Sequence, residues 1–302
     1  MSATASEAAT ERRSGGVVGG LVRAMRPKQW LKNVLVFAAP FTSAQITEFS
    51  VLTSAALAFV VFSLAASSIY LVNDAKDVEA DRAHPTKKNR PIAAGVVPVP
   101  LAYGAAVVLV LGSLALAYTA NWELVTIVVV YLAVQLGYCF GLKHQPVLEL
   151  CIVASGFLMR FIAGGVAAGI VPSQWFLLVT AFGSLFIVAG KRYAEIKLFH
   201  TTGANIRKSL RNYSESYLRF VWATAAAVMI MSYGLWAFQI AERTVNQWSV
   251  ISMIPLVVGM LRYAVDVDSG KAGAPEDVAY RDHVLQALGL FWLVTIGLAY
   301  YL

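Results

Sequence analysis

Long apolar stretches, each closed by a short polar or basic loop, recur at roughly 30–47, 51–72, 98–120, 123–142, 147–169, 174–190, 217–240, 247–265 and 284–302. Each is near the ~20 residues a helix needs to cross a bilayer. The pattern predicts an all-α integral membrane protein with about nine transmembrane helices, because only helices and closed barrels satisfy their backbone in lipid. The stretch 30–47 is the weakest, since Lys32, Asn33 and Pro40 interrupt it. Residues 1–20 carry Glu7 and Glu11 and lack an apolar core, so they read as a disordered polar tail and not as a cleavable signal. Residues 21–302 read as a single transmembrane domain.

With 58% of 302 residues hydrophobic and 14% charged, little chain is left for a separate soluble domain. The net charge of +7 could suggest nucleic acid, but the basic residues alternate with the loops instead of forming one patch. Arg12, Arg13, Arg23, Arg26, Lys28 and Lys32 precede or open the first stretch, and the loop 43–50 has no Lys or Arg. Lys76, Arg82, Lys87, Lys88 and Arg90 fill the next loop, Lys143 the following basic turn, and Lys191, Arg192, Lys197, Arg207, Lys208 and Arg211 the one after. Arg262, Lys271 and Arg281 complete the series, with Arg243 alone on the opposite side. This bias places the N-terminus and the long loops 73–97, 191–216 and 266–283 in the cytoplasm and Leu302 outside the inner membrane. Nucleic acid is excluded as a partner, and the expected surroundings are membrane lipid. The segment 268–277 reads as a flexible linker.

Chemistry concentrates where the second stretch meets water, at Asn73-Asp74-Ala75-Lys76-Asp77-Val78-Glu79-Ala80-Asp81. If the helix continues, Tyr70, Asn73, Asp74, Asp77 and Asp81 share one face and Glu79 points away. Like charges three and four residues apart repel, which a divalent cation between them would relieve. A hard ion such as Mg2+ takes a few carboxylate oxygens and completes its shell with water and substrate phosphates. A merely solvated acidic helix end is the plainer alternative.

Around it stand many cations, and a metal with many Lys and Arg suits a substrate carrying several phosphates. Lys28, Lys87, Arg90, Lys191 and Arg192 read as substrate contacts; Lys88, Lys197, Lys208 and Arg26 read as readily as lipid headgroup contacts. Arg160 lies deep in the fifth stretch, where a charge requires a polar cavity or a partner. It could anchor a lipid phosphate; Glu149 lies on the same helix face, about three turns away. Gly165 and Gly169 form a GxxxG spacing that reads as close packing. Cys139 and Cys151 read as packing residues, and no HExxH or paired Cys/His spacing suggests zinc.

The sequence resembles the UbiA superfamily of intramembrane prenyltransferases. Asn73, Asp74, Asp77 and Asp81 match its NDxxDxxxD motif at the end of the second span, and the resemblance covers about residues 20 to 302. It implies nine helices around a central, lipid-accessible cavity with a cytoplasmic cap. Most members carry a second Asp-rich motif after the sixth span, where this chain has Lys191-Arg192-Tyr193-Ala194-Glu195. That departure, with RPKQWLKN at 26–33, is similar to the branch that moves phosphoribose from phosphoribosyl diphosphate onto polyprenyl (decaprenyl) phosphate for cell-wall arabinan. The resemblance implies Mg2+ held by Asn73, Asp74, Asp77 and Asp81, with Asp74, Asp77 and Asp81 catalytic. The donor would meet Lys28, Tyr70, Arg82, Lys87, Arg90, Lys191, Arg192 and Glu195. The acceptor phosphate would meet Lys143, His144 and Arg160. Alternatives are Mg-dependent prenyl transfer from a polyprenyl diphosphate to an aromatic ring, or a transporter or lipid-binding scaffold whose carboxylates carry an ion, disfavoured because a transporter's charges would lie nearer the midplane. A homo-oligomer is left open.

Overall fold

The computed structural model describes residues 16–202, 210, 212–269, 278 and 281–302. The described residues are helical and contain no strand. The chain divides into two compact units, one of residues up to Phe140 with Met159–Ile170, the other of Gly141–Leu158 with Val171–Leu302. Of the tail, residues 16–20 already belong to a helix, α1, spanning 16–24; residues 1–15, the basic residues Arg207, Lys208, Arg211 and Lys271, and residues 270–277 of the linker lie outside the described residues.

In the first unit α1 leads into a 3-10 helix, Pro27–Phe37, and a short α-helix, Ala38–Thr42. Three long helices follow: α2 (Phe49–Lys76), α3 (Val99–Ala120) and α4 (Trp122–Cys139). The later half of α5 (Leu148–Ala167) completes the unit. Helix α2 is apolar all round, and such a helix is buried: 61% of its most apolar window is buried, against 17% for α3, which leaves α3 to face lipid. Phe62, Ala65 and Ile69 of α2 pack with Val128, Tyr131 and Leu132 of α4, Met159 and Ala163 of α5, and Val36. Asn121 caps α4 by accepting from the Leu124 N–H and donates Nδ2 to the Val166 carbonyl.

Eight helices among the described residues are long and apolar enough to cross a membrane. The expected ninth, 30–47, differs: it is not one continuous α-helix but the 3-10 segment and its short successor. Its polar residues explain the difference. Asn33 is buried and donates to Ser63 Oγ at 2.9 Å, so the segment packs against protein and not lipid. Eleven 3-10 residues and five α residues still rise about 30 Å, the thickness of a hydrocarbon core. Contact with α5 is close: a Cβ on Gly164 would lie 1.7 Å from the Val36 carbonyl oxygen. The glycine that permits packing is therefore Gly164. Gly169 instead terminates α5, with φ +68° and the Ile170 N–H bonded to the Gly165 carbonyl.

The second unit contains the first half of α5, then α6 (Gln174–Thr202), α7 (Glu215–Thr244), α8 (Met253–Asp268) and α9 (His283–Tyr301). Phe186, Tyr193 and Leu218 meet Leu150, Met260 and Tyr263 in its core. Trp222 stacks between Phe186 and Tyr193, at centroid distances of 5.6 and 6.2 Å. Ser214 caps α7, and Asp282 caps α9 by accepting from Val284 and Leu285 N–H groups. Cys139 is buried, but Cys151 is exposed, contrary to its reading as a packing residue.

Candidate functional site at the end of α2

Helix α2 runs to Lys76, breaks at Asp77 (φ −94°, ψ 11°) and resumes as Val78–Arg82. The break is shallow, because the Asp77 N–H still bonds the Asn73 carbonyl at 3.0 Å. The expected face is therefore kept. Asp74 and Asp81 are buried, Asn73 and Asp77 are half-buried, and Glu79 is exposed and paired with Arg82.

Two arginines neutralise the buried carboxylates. Arg26 Nη2 reaches both Asp74 oxygens, at 2.6 and 2.8 Å. Arg90 Nη1 reaches Asp74 Oδ1 at 3.0 Å and Asp81 Oδ2 at 2.6 Å. Arg90 is held by an ordered loop: Arg82 Nε donates to the Ala93 carbonyl, and Ile92 and Val97 pack with Ala24, Leu71 and Ala75. Arg26 sits at the break after α1 in the left-handed region, φ 56° and ψ 62°. For an arginine that conformation costs about 1–3 kcal/mol and persists only when its surroundings enforce it. They do so here: Ser67 Oγ donates to the Met25 carbonyl and accepts from Trp30 Nε1, while the guanidinium lies 4.9 Å over the Tyr70 ring.

The four expected metal ligands are thus not equivalent. No group of three His, Cys, Asp or Glu among the described residues is arranged to hold one metal ion. Asp74 and Asp81 are ion-paired with the two arginines, and Asn73 and Asp77 stand half-buried one helical turn apart on the same face. That donor set fits Mg2+, which commonly takes one or two carboxylates and completes its shell with water and substrate phosphates.

The turn of α6 at 191–195 departs further from expectation. Arg192, expected to meet the donor, is buried and donates Nε and Nη2 to Glu149 at 3.0 and 3.1 Å and Nη1 to Glu195 at 3.2 Å. One cation between two carboxylates is anchored against phosphate, not offered to it. Glu195 is likewise engaged, and Lys191 is the half-buried cation beside them. Nearby, the Val147 N–H donates to Tyr213 Oη at 2.6 Å, and burial pushes the Tyr213 hydroxyl above its ordinary pKa.

Of the remaining expected residues, Lys28 and His144 are exposed, and Lys87 and Lys143 are half-buried. Arg160 belongs to the first unit and Lys143 and His144 to the second. Arg160 donates Nε to Asn33 Oδ1 at 2.6 Å and lies 5.6 and 5.2 Å over the Phe62 and Tyr131 rings. Arg160 is buried within the first unit, while Glu149 pairs with Arg192. Arg26 is the residue the sequence reading underrated. An Arg-Pro step between two helical stretches was its signal.

Residues 34–294 match the UbiA prenyltransferase family. The chain belongs to that family. Among UbiA-family relatives, the protein of Mycobacterium tuberculosis H37Rv named decaprenyl-phosphate phosphoribosyltransferase is 56% identical over 97% of this chain and 98% of its own. The namesake of Corynebacterium glutamicum is 55% identical over 94% and 87%. Among solved structures, a UbiA homolog from Archaeoglobus fulgidus bound to GPP and Mg2+ superposes with a TM-score of 0.71 over 93% of this chain and 98% of that one. At 16% identity that likeness shows the UbiA fold alone, which agrees with the multi-pass membrane protein described above.

Proposed function

We propose that the protein transfers 5-phosphoribose from phosphoribosyl diphosphate to a polyprenyl phosphate such as decaprenyl phosphate, releasing diphosphate. The observation that carries this reading is the α2 end, where two partly exposed guanidiniums stand on buried carboxylates beside Asn73 and Asp77. Full-length relatives bearing that activity in their names support it.

Asn73 and Asp77 would hold Mg2+, with help from Asp81, which gives only its Oδ2 to Arg90. Mg2+, when bound, supplies positive charge that stabilises the departing diphosphate. Arg26, Arg90 and Lys87 contact the donor's phosphates, and Tyr70 keeps Arg26 in place. Lys28 and Lys191 are further donor contacts, and Lys143 and His144 meet the acceptor phosphate. The lipid phosphate oxygen attacks C1 of ribose as the C1–diphosphate bond breaks, and diphosphate leaves with the electron pair. The attacking phosphate is already ionised at neutral pH, so no general base is needed. The chain's task is alignment and charge stabilisation.

The positive-inside bias places the N-terminus and this site on the cytoplasmic face of the inner membrane and Leu302 outside. The product would serve arabinan precursor synthesis. Purified protein in lipid nanodiscs, given labelled phosphoribosyl diphosphate, polyprenyl phosphate and Mg2+, should form lipid-soluble label. Absence of that label, with prenylation of an aromatic acceptor from a polyprenyl diphosphate, would replace this reading by ordinary prenyl transfer.

A further inference from the structure

We infer that Arg26 and Arg90 form a metal-independent oxyanion subsite for diphosphate, and that Asp74 is their positioning residue and not a metal ligand. The inference deepens the reading above and rests on its diphosphate donor.

Three observations carry it. First, Asp74 is spent on guanidiniums: Oδ1 accepts from both Arg26 and Arg90, and Oδ2 accepts from Arg26. A carboxylate used in this way has little left for an ion. Second, the carboxylate is buried behind the cations. The Asp74 side chain is 2% exposed, whereas those of Arg26 and Arg90 are 29% and 27% exposed. Third, each guanidinium uses one terminal nitrogen only. Arg26 Nε and Nη1 and Arg90 Nε and Nη2 make no hydrogen bond among the described residues, so Arg90 retains the two-nitrogen Nε–Nη2 edge of the kind that binds phosphate bidentately, and Arg26 retains single N–H donors on either side of its engaged Nη2.

Two like charges sharing one carboxylate oxygen repel each other, and an incoming oxyanion relieves that repulsion. The left-handed backbone at Arg26 and its stacking on Tyr70 fix one guanidinium before any ligand arrives. Asp81 helps to hold the other through Arg90 Nη1, the same nitrogen that meets Asp74. Side-chain ordering is therefore paid in the fold and not on binding.

The test separates metal from anion. Full-length protein in nanodiscs is titrated with inorganic diphosphate in excess EDTA by calorimetry, and with Mn2+ in the presence of diphosphate by electron paramagnetic resonance. Charged hydrogen bonds of this kind support a loss of about 10- to 100-fold in metal-free diphosphate affinity for Asp74→Asn and for Arg26→Gln. Asp77→Asn should leave that affinity unchanged and weaken Mn2+ binding, whereas Asp74→Asn should leave Mn2+ binding near wild type. Arg26→Gln, at a partly exposed position, keeps the test open if Asp74→Asn does not fold. Wild-type-like metal-free diphosphate binding by Arg26→Gln, or equal loss of Mn2+ in Asp74→Asn and Asp77→Asn, would overturn the inference. Wild-type protein that forms no phosphoribosyl lipid would instead overturn the functional reading and leave the subsite standing if diphosphate still binds.

Discussion

At the end of α2 the helix supplies the carboxylates, Asp74 and Asp81, and the cations arrive from loops before and after it, as Arg26 and Arg90. In the turn of α6 at 191–195 the helix supplies the cation, Arg192, and two carboxylates close on it, Glu149 from α5 and Glu195 from the next turn. The ingredients are the same and the polarity is reversed. So is the exposure: cations stand outside at the first end, while the Arg192 side chain is only 4% exposed at the second. A guanidinium that keeps an open edge can bind a phosphate; one saturated by two carboxylates can only hold helices together. Counting cations near a site therefore overstates its appetite for phosphate.

The sharpest way to break this comparison is to remove the metal ligand at the first end. Asp77→Ala should lower turnover on the order of a thousandfold or more, since charge stabilisation of the leaving group is the largest single term. The protein should remain folded, because Asp77 is half-buried. Retained activity would mean that this helix end does not hold the ion. The mirror experiment at the second end concerns stability. Arg192→Met leaves Glu149 buried without its guanidinium and should cost about 3–5 kcal/mol. The double variant Arg192→Met with Glu149→Gln should recover most of that loss and leave the donor KM unmoved. Thermal unfolding in detergent and steady-state kinetics check both halves; a raised donor KM in the double variant would return Arg192 to the phosphate-binding set.

Lys191 tests the boundary between the two roles. It is half-buried beside the Arg192 cluster. Lys191→Ala should weaken donor binding about tenfold, the value of one charged hydrogen bond, and affect the acceptor less. The opposite ranking in titrations against each substrate would move Lys191 to the acceptor.

The membrane class and the helical face bearing Asn73, Asp74, Asp77 and Asp81 were legible from periodicity alone. Those features are local, because spacing along a helix determines which residues share a face. What could not be read was which charges consume one another. Arg26 and Asp74 are 48 residues apart and Arg192 and Glu149 are 43, so their pairing depends on tertiary packing. The same limit hid Gly164. Its span is rich in Gly and Ala, and only the approach of the Val36 carbonyl singles it out. The 3-10 course of Pro27–Phe37 was hidden for a related reason, since it depends on Asn33 finding Ser63 and Arg160.

The smallest effect calibrates both ends against an ion pair of the same chemistry left in solvent. Arg262 donates Nε to Asp282 Oδ2 at 2.7 Å, and Asp282 Oδ1 caps α9 through the Val284 and Leu285 N–H groups. The Arg262 hydrogen bond, with those N–H groups assisting, holds the Asp282 carboxyl below its usual pKa. A carboxylate whose folded pKa is depressed stabilises the fold above the unfolded carboxylate pKa of about 4 and loses that contribution as pH falls through the lower, folded value. Asp282→Ala should therefore lower the unfolding midpoint slightly at neutral pH, far less than Arg192→Met, because an exposed pair is screened by water and salt. The wild-type advantage should shrink on acidification and with added salt. If the difference grew at low pH, the charged carboxylate would not be its source. If it matched the Arg192 effect at neutral pH, burial would not be what distinguishes the α6 cluster.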